Sequence, residues 1–209
     1  MNKTSGKSNS IRIASLVHPT QVDGPGTRAA LFFQGCSIHC QGCQNKHLWP
    51  VDEGQVVQVS DVASQLVDTG LPVTITGGEP FDQAEGLAAL LRLLRAADRH
   101  VIVYSGYTWE QLSEKAAPVQ EALRLADVLV DGPYIPKLDH PGMQYRGSSN
   151  QRPIDLQATW QSGGIVTLDW DTPEVIITPD GDLLGAAGII TRFTDLGDPQ
   201  STRRCGETE

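Results

Sequence analysis

The chain has 209 residues, 39% hydrophobic and 20% charged, which suffices for one full core and is too short for two of ordinary size. Its net charge of −9 and pI near 4.9 argue against a nucleic-acid or membrane surface, because a phosphate backbone demands a basic face. Three of the four cysteines share one loop and the fourth, Cys205, stands almost at the end, so this is no disulfide framework and a reducing cytoplasm is expected. Neither the polar start MNKTSGKSNS nor any later stretch has the apolar length of a signal peptide or membrane helix.

Residues 1–10 read as a disordered tail, followed by a first strand at Ile11 to Val17 whose apolar and polar positions alternate. Asp23-Gly24-Pro25-Gly26-Thr27-Arg28 is a tight turn, with Arg28 offering a fixed fork of donors, and it feeds a second strand at Ala29 to Phe33. Then comes Cys36-x3-Cys40-x2-Cys43. Three thiolates at this spacing can each hold one iron of a cubane [4Fe–4S] cluster, and with no fourth cysteine nearby one iron stays open to a ligand such as S-adenosylmethionine (SAM). The same thiols with His47 could instead form a Cys3His zinc tetrahedron, and the cysteines alone leave both chemistries open. His39 and His47 read as surface or supporting residues in the first case.

Ser60 is the expected N-cap of a helix with Val62, Ala63, Leu66 and Val67 on its apolar face, ending at Gly70. A strand at Val73 to Thr76 runs into Gly77-Gly78-Glu79-Pro80, where glycines expose the backbone to a ligand and Glu79 can accept bonds from a ligand ammonium. Asp82 and Glu85 read as a capping box for a helix whose apolar face is Leu87, Leu90, Leu91 and Leu94. Another strand, His100 to Val103, leads to Tyr104-Ser105-Gly106-Tyr107, and Thr108 caps a helix at Trp109 that Pro118 breaks. Val119 to Ala126 and a strand at Asp127 to Val130 follow, ending in Asp131-Gly132-Pro133-Tyr134. Polar and glycine residues clustered where strands end predict parallel βα units with a site on the C-terminal rim. A full barrel needs about 250 residues, so this α/β chain should form an incomplete, open one. Ile165 to Trp170, Glu174 to Thr178, a turn at Pro179-Asp180-Gly181 and a run to Ile190 read as a β-hairpin. The expected division is a core over 11–156 and an extension over 157–209 packed on it, frayed over its last fifteen or so residues.

DGPGTR, a strand and GCxxxCxxCxN in this order, followed by GGEP, VYSGYT, DVLVDGPY and YRGSSNQR, resemble the glycyl-radical-enzyme activases of the radical SAM superfamily. The resemblance is closest to the activators of anaerobic ribonucleotide reductase and covers roughly Ile11 to Leu156. Where many radical SAM proteins place an aromatic residue before the third cysteine this chain has Gly42, as those activators do, and Gln44 replaces their tyrosine. The resemblance implies a [4Fe–4S] cluster on Cys36, Cys40 and Cys43. It also implies a SAM site drawn from Gly42, Cys43, Gln44, Gly77, Gly78 and Glu79, with Ser105 and Asp131 on the rim. The implied reaction is reductive cleavage of SAM, with an electron from flavodoxin or ferredoxin, to place a glycyl radical on a partner enzyme such as the large subunit of anaerobic ribonucleotide reductase. A radical SAM enzyme acting on a small molecule of the deazapurine-precursor type, and a zinc or electron-carrying module without turnover, are the competing readings.

Overall fold

The computed structural model describes residues 9–171, 176–177, 182–185 and 188–192, and the chain divides after Asp171 into two compact units. In the first, β1 (Ser10–Thr20) and β2 (Arg28–Phe33) form an antiparallel hairpin, and β3 (Gln55–Gln58) pairs with the other edge of β1. Helices and strands then alternate: α1 (Val59–Asp68), β4 (Val73–Gly77), α2 (Ala84–Ala96), β5 (Val101–Tyr104), α3 (Trp109–Ser113), α4 (Ala117–Leu125) and β6 (Val128–Asp131). The unit continues through β7 (Arg152–Asp155) and α5 (Leu156–Ser162). The sheet order is β3-β1-β2-β4-β5-β6-β7, with β2, β4, β5 and β6 parallel and the flanking strands antiparallel. This is the incomplete βα barrel expected from the alternation of elements.

Residue parity decides what each strand offers. Ala29, Leu31, Phe33, Val73, Ile75, Val101, Val103 and Leu129 join the helix faces in the main core, with Leu66 of α1, Leu87, Leu90, Leu91 and Leu94 of α2 and Leu123 of α4. The intervening Ile102, Val128 and Val130 turn to the opposite face, where Tyr104, Leu168 and Trp170 pack on them. Because the four parallel strands run in register, their C-terminal ends at Phe33, Gly77, Tyr104 and Asp131 share one edge of the sheet. In open α/β sheets that edge is where ligands bind.

Three local expectations are corrected. Ser60 is not the cap of α1: the helix starts at Val59, whose N–H bonds to Asn9 O (2.7 Å) and whose side chain is buried, leaving Gln58 as N-cap. Asp82 and Glu85 make no capping box, since a 3-10 turn over Pro80–Gln83 precedes α2 and Glu79 caps that turn by accepting from Phe81 N (3.0 Å). Ile165 to Trp170 is not a hairpin strand but a segment laid on the first unit, where Leu168 N donates to Pro153 O (2.7 Å) and Thr167 bridges to Ile154. Thr108 does cap α3 in a capping box with Gln111, and Pro118 in the first turn of α4 separates the two helices.

In the second unit β8 (Ile176–Ile177), β9 (Asp182–Gly185) and β10 (Gly188–Arg192) form an antiparallel sheet. The pairing of Ile176 with Leu184 and Ile177 with Leu183 is the hairpin read from the sequence. Its turn at 179–181, the tail before Asn9, and Cys205 lie outside the described residues.

Candidate active site

The cysteine loop hangs from the end of β2 and is closed at its base. Gly35 N donates to Leu48 O (2.8 Å) and Cys36 N to Trp49 O (3.2 Å), so the strands entering and leaving the loop are zipped together. Gln34 Nε2 reaches Pro50 O (2.8 Å), and the 3-10 turn Lys46–Leu48 buries Leu48 beneath. Cys36 is buried, Cys40 and Cys43 are half-buried, and all three are unbridged thiols lining one cleft. Burial pushes the Cys36 and Cys40 thiols up, a direction that coordination to a cation reverses because a ligating thiol is deprotonated outright. Within the loop, Ser37 is anchored by Asp82: its N–H donates to Oδ2 (2.7 Å) and its hydroxyl to Oδ1 (2.9 Å).

Opposite the loop, Gly78 N donates to Phe33 O and Glu79 N to Gly35 O, both at 2.8 Å, so the GGEP segment and the cysteine loop share backbone hydrogen bonds. This gives the two glycines a reason other than the expected room for a ligand. A Cβ on Gly77 (φ +109°) would stand 2.4 Å from Phe33 N, and one on Gly78 would stand 2.1 Å from Gly35 O. Glu79 is fully buried; Oε1 accepts from Phe81 N and Ser105 Oγ (3.0 Å each) and Oε2 from Gly106 N (2.8 Å). One lone pair of Oε2 remains for a further donor. Burial pushes this carboxyl up to about 7.

The remaining predicted residues separate. Ser105 lines the cleft, but its hydroxyl is occupied by Glu79 and by Tyr107 N (3.0 Å). Gln44 lines an adjoining chamber with Asn45, Asp23, Tyr104, Tyr134 and Arg146. Gly42 lines neither; it packs on Pro136, whose Cγ would lie 2.7 Å from an added Cβ, and so lets the loop approach the segment after β6. Asp131 is also outside the cleft. Its fully buried carboxylate accepts from Arg152 Nε (2.9 Å), Arg152 Nη2 (2.5 Å) and Trp109 N (2.6 Å), tying β6 to β7 and to the start of α3. Arg28 lies beneath the parallel strands, donating to Thr74 Oγ1 (2.7 Å) and Val73 O (2.6 Å), while Thr74 Oγ1 holds Asp23 O (2.7 Å). Burial pulls the Arg28 guanidinium down to about 10, still charged at neutral pH. The DGPGTR turn is thereby pinned under the sheet with Asp23 facing the second chamber.

Thr76, Tyr104, Tyr134, Trp49 and Gln151 also line the cleft and were not anticipated as site residues. Parity carried a signal for two of them: Thr76 and Tyr104, near or at the ends of β4 and β5, lie on the face opposite the core residues Ile75 and Val103.

The donor set is three unbridged thiols on one loop, one for each of three irons of a cubane. Among the described residues no three His, Cys, Asp or Glu side chains converge where one metal ion could sit, as Cys3His zinc requires. A cubane takes one thiolate per iron and needs its ligands apart. His39 and His47 are exposed, and His39 stacks on Trp49 with centroids 4.6 Å apart. Trp49 also lines the cleft, and its indole N–H is buried with no protein acceptor.

An open α/β barrel whose strand ends carry three unbridged thiols and a glycine-rich strand terminus defines a radical SAM type of protein. A family described as 4Fe-4S single cluster domain matches residues 22–154, and the chain belongs to that radical SAM family. It is homologous to proteins named anaerobic ribonucleoside-triphosphate reductase-activating protein. The one from Vibrio cholerae is 35% identical over 141 residues, covering 62% of this chain and 88% of the relative. That of Escherichia coli K12 is 34% identical over 140 residues (62% and 89%), and that of Pasteurella multocida is 36% identical over 150 residues (64% and 91%). Among solved structures, QueE from Escherichia coli aligns at a TM-score of 0.41 and 20% identity over 47% of this chain and 54% of that one. The chain is accordingly a radical SAM enzyme of the oxidoreductase type, related to the reductase-activating proteins. Among the described residues no helix is long and apolar enough to cross a membrane.

Proposed function

We propose that this protein installs a glycyl radical on a partner enzyme, the large subunit of an anaerobic ribonucleotide reductase, working in the cytoplasm with an electron from a flavodoxin or ferredoxin. The observation that carries the proposal is the joining of the cysteine loop and the GGEP segment into one cleft wall, in a chain whose relatives are named for activating that reductase. Cys36, Cys40 and Cys43 would hold a [4Fe–4S] cluster, with Gly42 letting the loop close on Pro136. When bound, the cluster and SAM would supply the reductive radical chemistry, a 5′-deoxyadenosyl radical able to take a hydrogen from the Cα of the target glycine. Gly77, Gly78 and Glu79, which line the cleft, would be the wall against which SAM is held, with Glu79 Oε2, bonded only to Gly106 N, as the acceptor for a ligand ammonium. Ser105 keeps Glu79 oriented, and Asp131 acts at one remove by fixing β6 and β7. Gln44 lines the second chamber, where an entering peptide loop would pass.

The test is anaerobic reconstitution with iron and sulfide, then addition of SAM, a strong reductant and the reductase, followed by electron paramagnetic resonance. The expected result is a glycyl doublet on the partner that disappears when its radical-site glycine becomes alanine. Alanine at Cys36, Cys40 or Cys43 should abolish cluster loading, whereas Cys205→Ala should load normally. Stoichiometric hydrogen abstraction from a small metabolite, without a doublet on any glycyl radical enzyme, would overturn the proposal.

A further inference from the structure

Asp82 was expected to cap a helix and does not. It projects from the 3-10 turn after GGEP and spends both carboxylate oxygens on Ser37, the residue following Cys36, at 2.7 and 2.9 Å. Tyr107 completes the group, its hydroxyl 3.0 Å from Ser37 Oγ and 3.3 Å from Asp82 Oδ1, with the Lys115 ammonium 3.8 Å above its ring. Among the described residues no Lys, Arg or His side chain forms a salt bridge with Asp82, so no ion pair neutralises its charge beside the loop.

We propose that Asp82 is a positioning residue for the cluster loop: its two hydrogen bonds fix the backbone after Cys36, and its negative charge lowers the reduction potential of a cluster held there. The inference rests on the cluster assignment above. A fixed negative charge near a cluster opposes the arrival of an electron, so the reduced state is disfavoured while Asp82 is present. The bonds act separately from the charge. An aspartate accepting two donors from one residue holds that residue against rotation, and Ser37 is the first link between Cys36 and Cys40.

Asn and Ala substitutions separate the two effects. In Asp82→Asn the amide oxygen can accept Ser37 N–H and the amide nitrogen can donate to Ser37 Oγ, so the anchor survives and only the charge is lost. Asp82→Ala removes both, and Ser37→Ala removes one bond while keeping the charge. Each protein is reconstituted anaerobically, assayed for iron and sulfide, challenged with a chelator, and titrated redox-potentiometrically with electron paramagnetic resonance as the readout. Expected for Asp82→Asn is wild-type iron content with the reduction equilibrium shifted at least about threefold toward the reduced cluster, ~28 mV positive at 59 mV per tenfold for one electron. Expected for Asp82→Ala is the same shift with iron lost to chelator several-fold faster, and for Ser37→Ala an unmoved potential with an intermediate rate. An iron-loaded Asp82→Asn protein titrating with the wild type would overturn the charge effect, and Asp82→Ala retaining iron as long as the wild type would overturn the anchor. Failure of the wild type itself to load a cluster would sink the functional proposal instead.

Discussion

The two walls of the cleft are built from different bonds. On the side of β2 and β4 the cysteine loop and GGEP are joined by backbone groups: Gly78 to Phe33, Glu79 to Gly35, Gly35 to Leu48 and Cys36 to Trp49. On the side of β6 and β7 the joint is a side-chain ion network, with the buried Asp131 carboxylate gripped by Arg152 and a second carboxylate, Glu110, 3.0 Å from the same guanidinium. Backbone joints tolerate no added atoms but carry no net charge to desolvate. Ionic joints tolerate changes of shape and fail when one partner is removed. The two sides should therefore break differently.

The largest effect on the site is expected at the backbone joint. Gly78→Val must move Gly35, one residue from Cys36, and should cost at least about 3 kcal/mol while abolishing most iron loading along with SAM binding. Iron analysis after anaerobic reconstitution checks it. Full loading with only weaker SAM binding would show that the two segments are not one unit.

Arg152→Met is expected to cost ~3–5 kcal/mol in urea unfolding, because it strands a carboxylate with no exposure to water. Whatever folds should still load iron, since Arg152 touches neither the cysteine loop nor GGEP. Pairing it with Asp131→Leu should recover most of the loss, the signature of an uncompensated charge rather than lost packing.

Glu79 ties the segment after β4 to the segment after β5, accepting from both Phe81 and Gly106, and sharpens the contrast through pH. Burial raises its carboxyl from 4.5 to about 7. Between those values the folded chain keeps a proton that the unfolded chain has released, so rising pH works against folding across that window by at most about 3–4 kcal/mol. Urea midpoints of the metal-free protein between pH 5 and 8, compared with Glu79→Gln, should show this downward slope in the parent alone. Parallel curves would mean that the three donors, not burial, control the group.

Much of this site was legible from the chain. The cysteine spacing, GGEP after a strand, and the recurrence of strand ends carrying polar residues placed Cys36, Cys40, Cys43, Gly77 to Glu79 and Ser105 on one rim, and the structure brings them to a single cleft. These are local patterns, and parallel strands in register turn a repeated local pattern into a shared edge. Asp131 obeyed the same pattern, yet parity at the end of β6 sends its carboxylate to Arg152 and Trp109 N. Asp82 and Glu85 matched a capping box equally well, and the box lost to a 3-10 turn that Glu79 caps and to a donor pair 45 residues earlier in the chain.

What the amino-acid order determined by itself is the set of elements and the chemistry of the loop between β2 and the 3-10 turn at Lys46: periodicity, proline and glycine placement, and three thiols within eight residues act over a few positions and need no distant partner. Tertiary structure alone decided why Gly78 must be glycine, which carboxylate faces the cleft and which is spent on an ion pair, and that Asp82 holds the residue after Cys36. Those outcomes depend on groups 21 to 45 residues apart meeting at hydrogen-bond distance, and a pattern read along the chain carries no record of which donor arrives first.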